Sequence, residues 1–311
     1  MTEDRNPTQG PYADVLMDRW FKRTFGWAPA KRLMTLFLQE LIPERKIMDL
    51  NFGPQEHINP IEEGKDARVD VECTDEDGTR FVVEMQMAKQ ADFYNRAVFN
   101  STFAIQNQLK KGARAFSFPP VYFIGIMNFS FHEGDQVLYR YRLQETTSQE
   151  IMTDCLQFLF LELPNSTKAM TPKATVLDNF CYVLHNISKM QNRPEGLKGE
   201  MFDLLFKSAD LSTFADNERD QYFEDMHTKE DIERMIDYAK NEGIEIGMEK
   251  GKEIGIEKGK EIGIEEGKEI GREEARHESI EFMAKKMLKM NMEVETISSV
   301  TGMSPEQIRS L

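Results

Sequence analysis

Arg68-Val69-Asp70-Val71-Glu72-Cys73, then Asp75-Glu76-Asp77-Gly78, then Thr79-Arg80-Phe81-Val82-Val83-Glu84-Met85-Gln86-Met87 is the stretch that decides how this chain folds. The first run alternates apolar and polar residues at period two, the pattern of a strand with one buried face. The last run reads as a second strand, and the Asp-Gly between them is a hairpin signal. A three-residue loop, Glu76-Asp77-Gly78, puts glycine in the left-handed conformation and sets Asp70 directly opposite Glu84. Opposed residues share a face about 5 Å apart. Gln86, two residues further on, joins that face. A two-residue Asp77-Gly78 turn would put Asp70 and Glu84 on opposite faces, so the register is a condition for any joint chemistry.

Helical patterns precede the hairpin. Val15, Leu16, Trp20 and Phe21 give residues 12–25 a helical face that Gly26 ends. Pro29 suits the start of a second helix, whose core face is Leu33, Leu36, Phe37, Leu38 and Leu41. After the hairpin, residues 92–111 return to helix and stop at Gly112. Residues 121–127 read as a buried strand and 155–163 as another, with a further strand between them. Residues 172–235 read as helices. This order describes an α/β chain with a mixed β-sheet flanked by helices.

The chain has 311 residues, 39 basic against 54 acidic, and a net charge of −15. The length supports a real core, and the charge argues against a protein that coats DNA nonspecifically. It leaves open an enzyme with an acidic centre and a local basic track. The apolar run at 121–127 is far shorter than the roughly 20 residues that span a bilayer, so no membrane partner is expected. Met1-Thr2-Glu3-Asp4-Arg5 lacks the apolar stretch of a secretory leader. Cys73, Cys155 and Cys181 are odd in number and widely spaced, which argues against a disulfide framework or a thiolate zinc site and for a reduced, cytoplasmic setting.

Beyond about residue 235 the composition changes. Glycines fall every four residues from Gly243 to Gly271, and glutamates keep the same beat from Glu245 to Glu273. Charge pairs such as Glu257–Lys260 and Glu265–Lys268 suit a helix. Eight interior glycines cost about 1 kcal/mol each relative to alanine, against a stable isolated helix. A period of four also overshoots 3.6, so each stripe drifts about 40° per repeat. Two readings stand: a helix that self-associates through its small residues to give a homo-oligomer, and a solvated spacer. Residues 279–311 form a short helical hairpin. Ala284, Met287, Leu288, Ile297 and Val300 are its apolar positions, and Ser304-Pro305-Glu306-Gln307 is a helix start. Arg309 is its one base-reading candidate, with packing or assembly the other role. The expected domains are 1–235, 236–278 and 279–311.

Asp70 and Glu84, if paired, suit Mg²⁺, a hard cation held by one or two carboxylates plus waters and substrate phosphate. The ion would polarise a phosphodiester and acidify a water. Gln86 stands where such a site usually carries a lysine; an amide orients water but is no base at neutral pH. Lys22, Lys65 and Lys89 are candidates for the missing charge. Read from the residues alone, solvent-facing strand carboxylates are the other account of Asp70 and Glu84. Lys110, Lys111 and Arg114 form a basic cluster that would hold DNA phosphate or merely solvate a helix end; Arg96 on the preceding helix favours the first. The five histidines have no metal-ligand spacing, and no GxxxxGK[ST] or GxSxG motif occurs.

Arg68 to Val71, Gly78 and Val83-Glu84-Met85-Gln86 resemble the core of the Rpn family, the PD-(D/E)XK nuclease-family transposases and recombination-promoting nucleases. Asp18-Arg19-Trp20-Phe21-Lys22 with Phe25-Gly26 resembles the family's opening helix. Arg96, Lys111-Gly112, residues 120–129, Leu161-Glu162-Leu163-Pro164 and the glycine-glutamate tail extend the likeness over residues 12–275. The resemblance implies a restriction-endonuclease-like core. It implies Asp70 and Glu84 as Mg²⁺ ligands, Gln86 in place of lysine, Asp18 as a first-helix acid and Lys22 near phosphate or water. It also implies DNA as substrate, for which Arg96, Lys110 and Lys111 are the expected phosphate contacts. The expected function is a Mg²⁺-dependent DNA endonuclease of mobile elements. A catalytically degenerate nuclease fold serving as a DNA-binding or assembly module is the alternative.

Overall fold

The computed structural model describes residues 10–57, 67–109 and 117–311. The elements are α1 (Asp18–Phe25), α2 (Lys31–Leu41), β1 (Leu50–Phe52), β2 (Glu56–His57), β3 (Ala67–Arg68), β4 (Val71–Asp75), β5 (Arg80–Gln86), α3 (Phe93–Gln106), β6 (Val121–Met127), β7 (Leu138–Gln144), β8 (Ile151–Glu162), α4 (Val176–Asn186), α5 (Glu200–Ala209), α6 (Asp216–Lys289), α7 (Val294–Thr301) and α8 (Pro305–Arg309). They fall into two compact units, Met1–Phe223 and Glu224–Leu311.

In the first unit, six strands form one mixed sheet in the order β1-β4-β5-β6-β8-β7. The pairs β5–β6 and β6–β8 are parallel and the rest antiparallel. β6 is buried along its whole length, as a central parallel strand covered on both faces must be. One sheet face carries Phe81, Val83, Ile124 and Leu161 and packs with apolar residues of α1, α2, α4 and α5. The other carries Val82, Phe123 and Phe160 and packs with Phe93, Ala97 and Ala104 of α3. This mixed sheet between helices is consistent with the restriction-endonuclease-like core.

The hairpin has the register that the three-residue loop requires. Val71 faces Val83, Glu72 faces Val82 and Cys73 faces Phe81. Asp75 donates its N–H to the Thr79 carbonyl at 3.0 Å, and Gly78 sits at φ +83°.

Three local readings need correction. The helix expected over 12–25 starts only at Asp18. Ala13 donates to the Ala209 carbonyl (2.7 Å) and Asp14 to the Tyr222 hydroxyl (3.0 Å), so this backbone is satisfied elsewhere. The strand expected over 68–73 is broken at Val69-Asp70. Val69 donates to the Gln55 carbonyl (2.9 Å), while the Asp70 carboxylate takes the Met85 N–H (2.7 Å) that the ladder would otherwise use. The later strand begins at Ile151 rather than near 155, since it also pairs along β7.

Within the second unit, α6 continues without interruption through the glycine repeat, and its residues there are exposed. A Cβ at any of the eight glycines would meet nothing within 4 Å, so no intramolecular packing compensates their helix cost. Residues 235/236 and 278/279, the expected boundaries, both lie inside α6. Ala284, Ile297 and Ile308 form a small buried cluster with Met287 and Leu288 beside it; Val300 is exposed. Ser304 and Gln307 cap α8 reciprocally. No described helix is long and apolar enough to cross a membrane.

Candidate active site

Val82 faces the α3 side of the sheet, and at period two Glu84 and Gln86 follow it onto that side. Asp70 lies outside the β4 ladder, but its carboxylate takes the N–H of Met85, the neighbour of Glu84, and feels the Glu84 charge. The helix above is brought close by a missing side chain. Gly125 pairs with Glu84, and a Cβ there would stand 2.7 Å from Phe160 and 3.0 Å from Phe93. Phe93 therefore lies against the sheet, and α3 presents Arg96 and Asn100, one turn apart on the same face, to the strand below.

These two residues hold Glu84. The Arg96 guanidinium pairs with Glu84 Oε1, and the same Nη2 donates to Gln86 Oε1 at 2.9 Å. Asn100 donates to Glu84 Oε2 at 3.0 Å and to the Arg68 carbonyl at 3.3 Å. The Gln86 amide is further fixed by donating to the Ala88 carbonyl at 3.0 Å. Glu84, Gln86 and Asn100 are all buried.

α1 supplies the other side. Lys22 Nζ lies 2.8 Å from Asp18 and 3.6 Å from Asp70 Oδ1. Burial works to lower the Lys22 ammonium, but the Asp18 hydrogen bond and the Asp70 charge outweigh it and hold it above its usual value. Burial pushes the Asp70 carboxyl up to about 6, with the Asp18 and Glu84 charges adding to it against the Met85 N–H and Lys22. Burial is thus the main reason that Asp70 holds its proton, with two neighbouring acids adding to it.

The structure brings together Asp18, Lys22, Asp70, Glu84, Gln86 and Arg96. Of the candidates for the missing charge, Lys22 reaches Asp70. Lys89 turns to the Ser130 carbonyl (3.4 Å) and lies 4.5 Å over the Phe131 ring, while Lys65 lies outside the described residues. Lys110, Lys111 and Arg114 also lie outside them. Sequence reasoning missed Asn100. Its signal was present: a polar side chain among Phe93, Ala97 and Ala104, four residues after Arg96.

Among the described residues, no group of three or more His, Cys, Asp or Glu is gathered for a metal ion. Two carboxylates and an amide remain a hard-oxygen donor set, which fits a cation that completes its shell with water and phosphate. Asp70 and Glu84 would hold it.

No curated protein and no solved structure matches the chain. A family model described as PD-(D/E)XK nuclease family transposase matches residues 15–239, which include every described side chain of this site. The hairpin, the paired carboxylates and the flanking helices lie inside that match, and the chain belongs to the PD-(D/E)XK nuclease family transposases.

Proposed function

We propose that the chain is a Mg²⁺-dependent DNA endonuclease acting in the recombination of mobile elements. The observation that carries the reading is that Asp70 and Glu84 lie near enough for the Glu84 charge to act on Asp70, each with a cation from a different helix against it. A divalent ion held there supplies Lewis acidity toward a phosphodiester.

The chain's own groups do the rest. Asp70 and Glu84 bind through hard oxygens. Lys22 and Arg96 bring the positive charge that the family's usual lysine would carry, Lys22 beside Asp70 and Arg96 beside Gln86. A phosphate oxygen entering between them gains charge-assisted hydrogen bonds. Gln86 positions a water once Arg96 moves toward phosphate and frees the amide oxygen. Asn100 keeps Glu84 aimed when Arg96 leaves it. Arg96, with Lys110 and Lys111, is read as the phosphate track, and the −5 charge of residues 241–278 keeps DNA off the repeat. The repeat is read as a spacer that also permits association with a second copy. Three free cysteines suit a reducing, cytoplasmic setting.

One observation favours the second reading, a degenerate DNA-binding module: Arg96 already neutralises Glu84, as a structural ion pair would. Nicking of supercoiled plasmid by purified protein in Mg²⁺ separates the two. Cleavage that requires both Asp70 and Glu84 supports the enzyme. DNA binding without Mg²⁺-dependent cleavage supports the module.

A further inference from the structure

A cleft of about 440 Å³ opens beside Lys22, lined by Arg19, Arg23, Trp27, Gln55 and Glu218 among others. Lys22 is the wall it shares with Asp70. Gly26 brings the cleft against β4, since a Cβ there would stand 3.0 Å from Val71.

Its composition is selective. The chain has two tryptophans. Trp20 is 2% exposed and stacks on Phe214. Trp27 is 48% exposed at the cleft, although tryptophan is on average a highly buried residue. The turn bearing Trp27 is rigid: its carbonyl accepts the Ala30 N–H at 2.9 Å, and Pro29 lies between. Arg23 is fixed as well, lying 3.9 Å over the Phe214 ring and donating to Glu218 and to the Ser208 carbonyl. Three cations line the cleft, Lys22 also paired to Asp18 and Asp70 and Arg23 to Glu218. A flat aromatic surface held ready beside cations is the chemistry that receives a nucleotide, base on the ring and phosphate on the charges.

We propose that this cleft binds an unstacked nucleobase on the Trp27 indole, with Lys22 and Arg19 against the adjoining phosphates. The proposal rests on the nuclease reading and narrows its substrate to a strand that offers at least one base outside the duplex stack. Any base has a π-face, so the contact is tolerant of sequence. Single-stranded nucleic acid and a duplex with a displaced base offer the same chemistry.

Intrinsic tryptophan emission tests this in the full-length protein, in EDTA so that no cleavage occurs. A single-stranded DNA oligonucleotide should quench the emission saturably. Trp27→Phe should remove the quench while keeping most of the affinity, because a stacking ring remains. Trp27→Ala should weaken binding about tenfold or more. A duplex with one unpaired base should quench, and a fully paired duplex should not. An abasic strand should bind more weakly and leave the emission unchanged. Quenching that persists in Trp27→Phe, equal quenching by the abasic strand, or undiminished affinity in Trp27→Ala overturns the proposal. The outcome is independent of catalysis. If Asp70→Ala left Mg²⁺-dependent cleavage undiminished while the quench at Trp27 held, the carboxylate assignment would fall and the nucleobase site would stand.

Discussion

The hairpin from Asp70 to Gln86 and the glycine repeat from Gly243 to Gly271 are both periodic, and they use periodicity in opposite ways. In the hairpin, period two sorts residues between two buried sheet faces, and register ties Val71–Thr74 to Arg80–Val83. The proposed chemistry lies where the pattern fails: Asp70 leaves the ladder and uses its carboxylate, not its backbone, to accept the Met85 N–H. In the repeat, period four never fails, and the glycines have no neighbour within 4 Å. Regularity without contact makes each unit exchangeable. Regularity ended by a polar interruption fixes a site.

The strongest way to break this comparison is to insert one residue into each region. One residue added within Glu76-Asp77-Gly78 shifts the register by one and turns Asp70 away from Glu84. Cleavage should fall to background, and the unfolding temperature should drop because the core faces of β4 and β5 no longer coincide. One residue added within the repeat should change neither. Asp70→Ala and Glu84→Ala give the same loss of cleavage with circular dichroism of the folded protein retained. Full activity in both variants would remove the carboxylates from the mechanism.

A smaller effect compares the ion pair that holds Glu84 with an exposed one on α6, upstream of the repeat. Arg96–Glu84 joins a half-buried guanidinium to a buried carboxylate. Arg234–Asp231, at 2.6 Å, lies on α6 with both side chains about 70% exposed. Arg96→Ala should cost about 2 kcal/mol, because Glu84 keeps its burial and loses its charged partner. Arg234→Ala should cost only a few tenths. The Arg96 variant should also gain more thermal stability from added Mg²⁺ than the wild type, since the ion would meet a Glu84 carboxylate without a competing guanidinium. Equal losses in chemical denaturation, or equal Mg²⁺ responses, would mean that Arg96 does not hold Glu84 in solution.

Much of this was legible in the residues. The alternation at 68–73 and the Asp-Gly turn gave the hairpin register, because a three-residue loop allows one register. The buried run at 121–127 matched its strand to the residue. What was not legible depended on partners distant in sequence. The N-terminal residues lose their helix to Ala209 and Tyr222, about 200 positions away. The strand breaks at Asp70 because Val69 donates to the Gln55 carbonyl and the Asp70 carboxylate itself takes the Met85 N–H. Arg96 was legible as a cation on α3. Its position over Glu84 was not, because it depends on Phe93 resting over Gly125.

The pH response is smaller again and belongs to the hairpin alone. Asp70, with an ordinary value of 3.8, is pushed up to about 6 by burial. The folded state therefore binds this proton more tightly than the unfolded chain. The resulting contribution to stability is complete below about pH 4 and is lost as pH rises through 6. Divalent cations compete with that proton, so Mg²⁺ affinity should move the other way and fall as pH drops below 6. Melting curves between pH 4 and 7, with and without Mg²⁺, read both trends, and Asp70→Asn should flatten them. An unaltered profile in Asp70→Asn would assign the titration to another group.

The smallest expected effect comes from the repeat, and a near-zero result is informative there. Deleting residues 251–258 removes one eight-residue unit and rotates the downstream part of α6 by about 80°, given 100° per residue. With no partner for the glycines among the described residues, that rotation should leave plasmid nicking and the melting of the first unit unchanged. A chain ending at Lys240 should also keep Mg²⁺-dependent cleavage, because every proposed ligand precedes it. Assembly is the property free to change: small residues every four positions allow close helix approach, and the truncated chain would lose that surface. Light scattering on the full-length, octad-deleted and truncated proteins reads it directly. Cleavage lost at an unchanged oligomeric state would mean that the repeat helps to build the active site. The contrast between a region fixed by contacts and a region free of them would then fail.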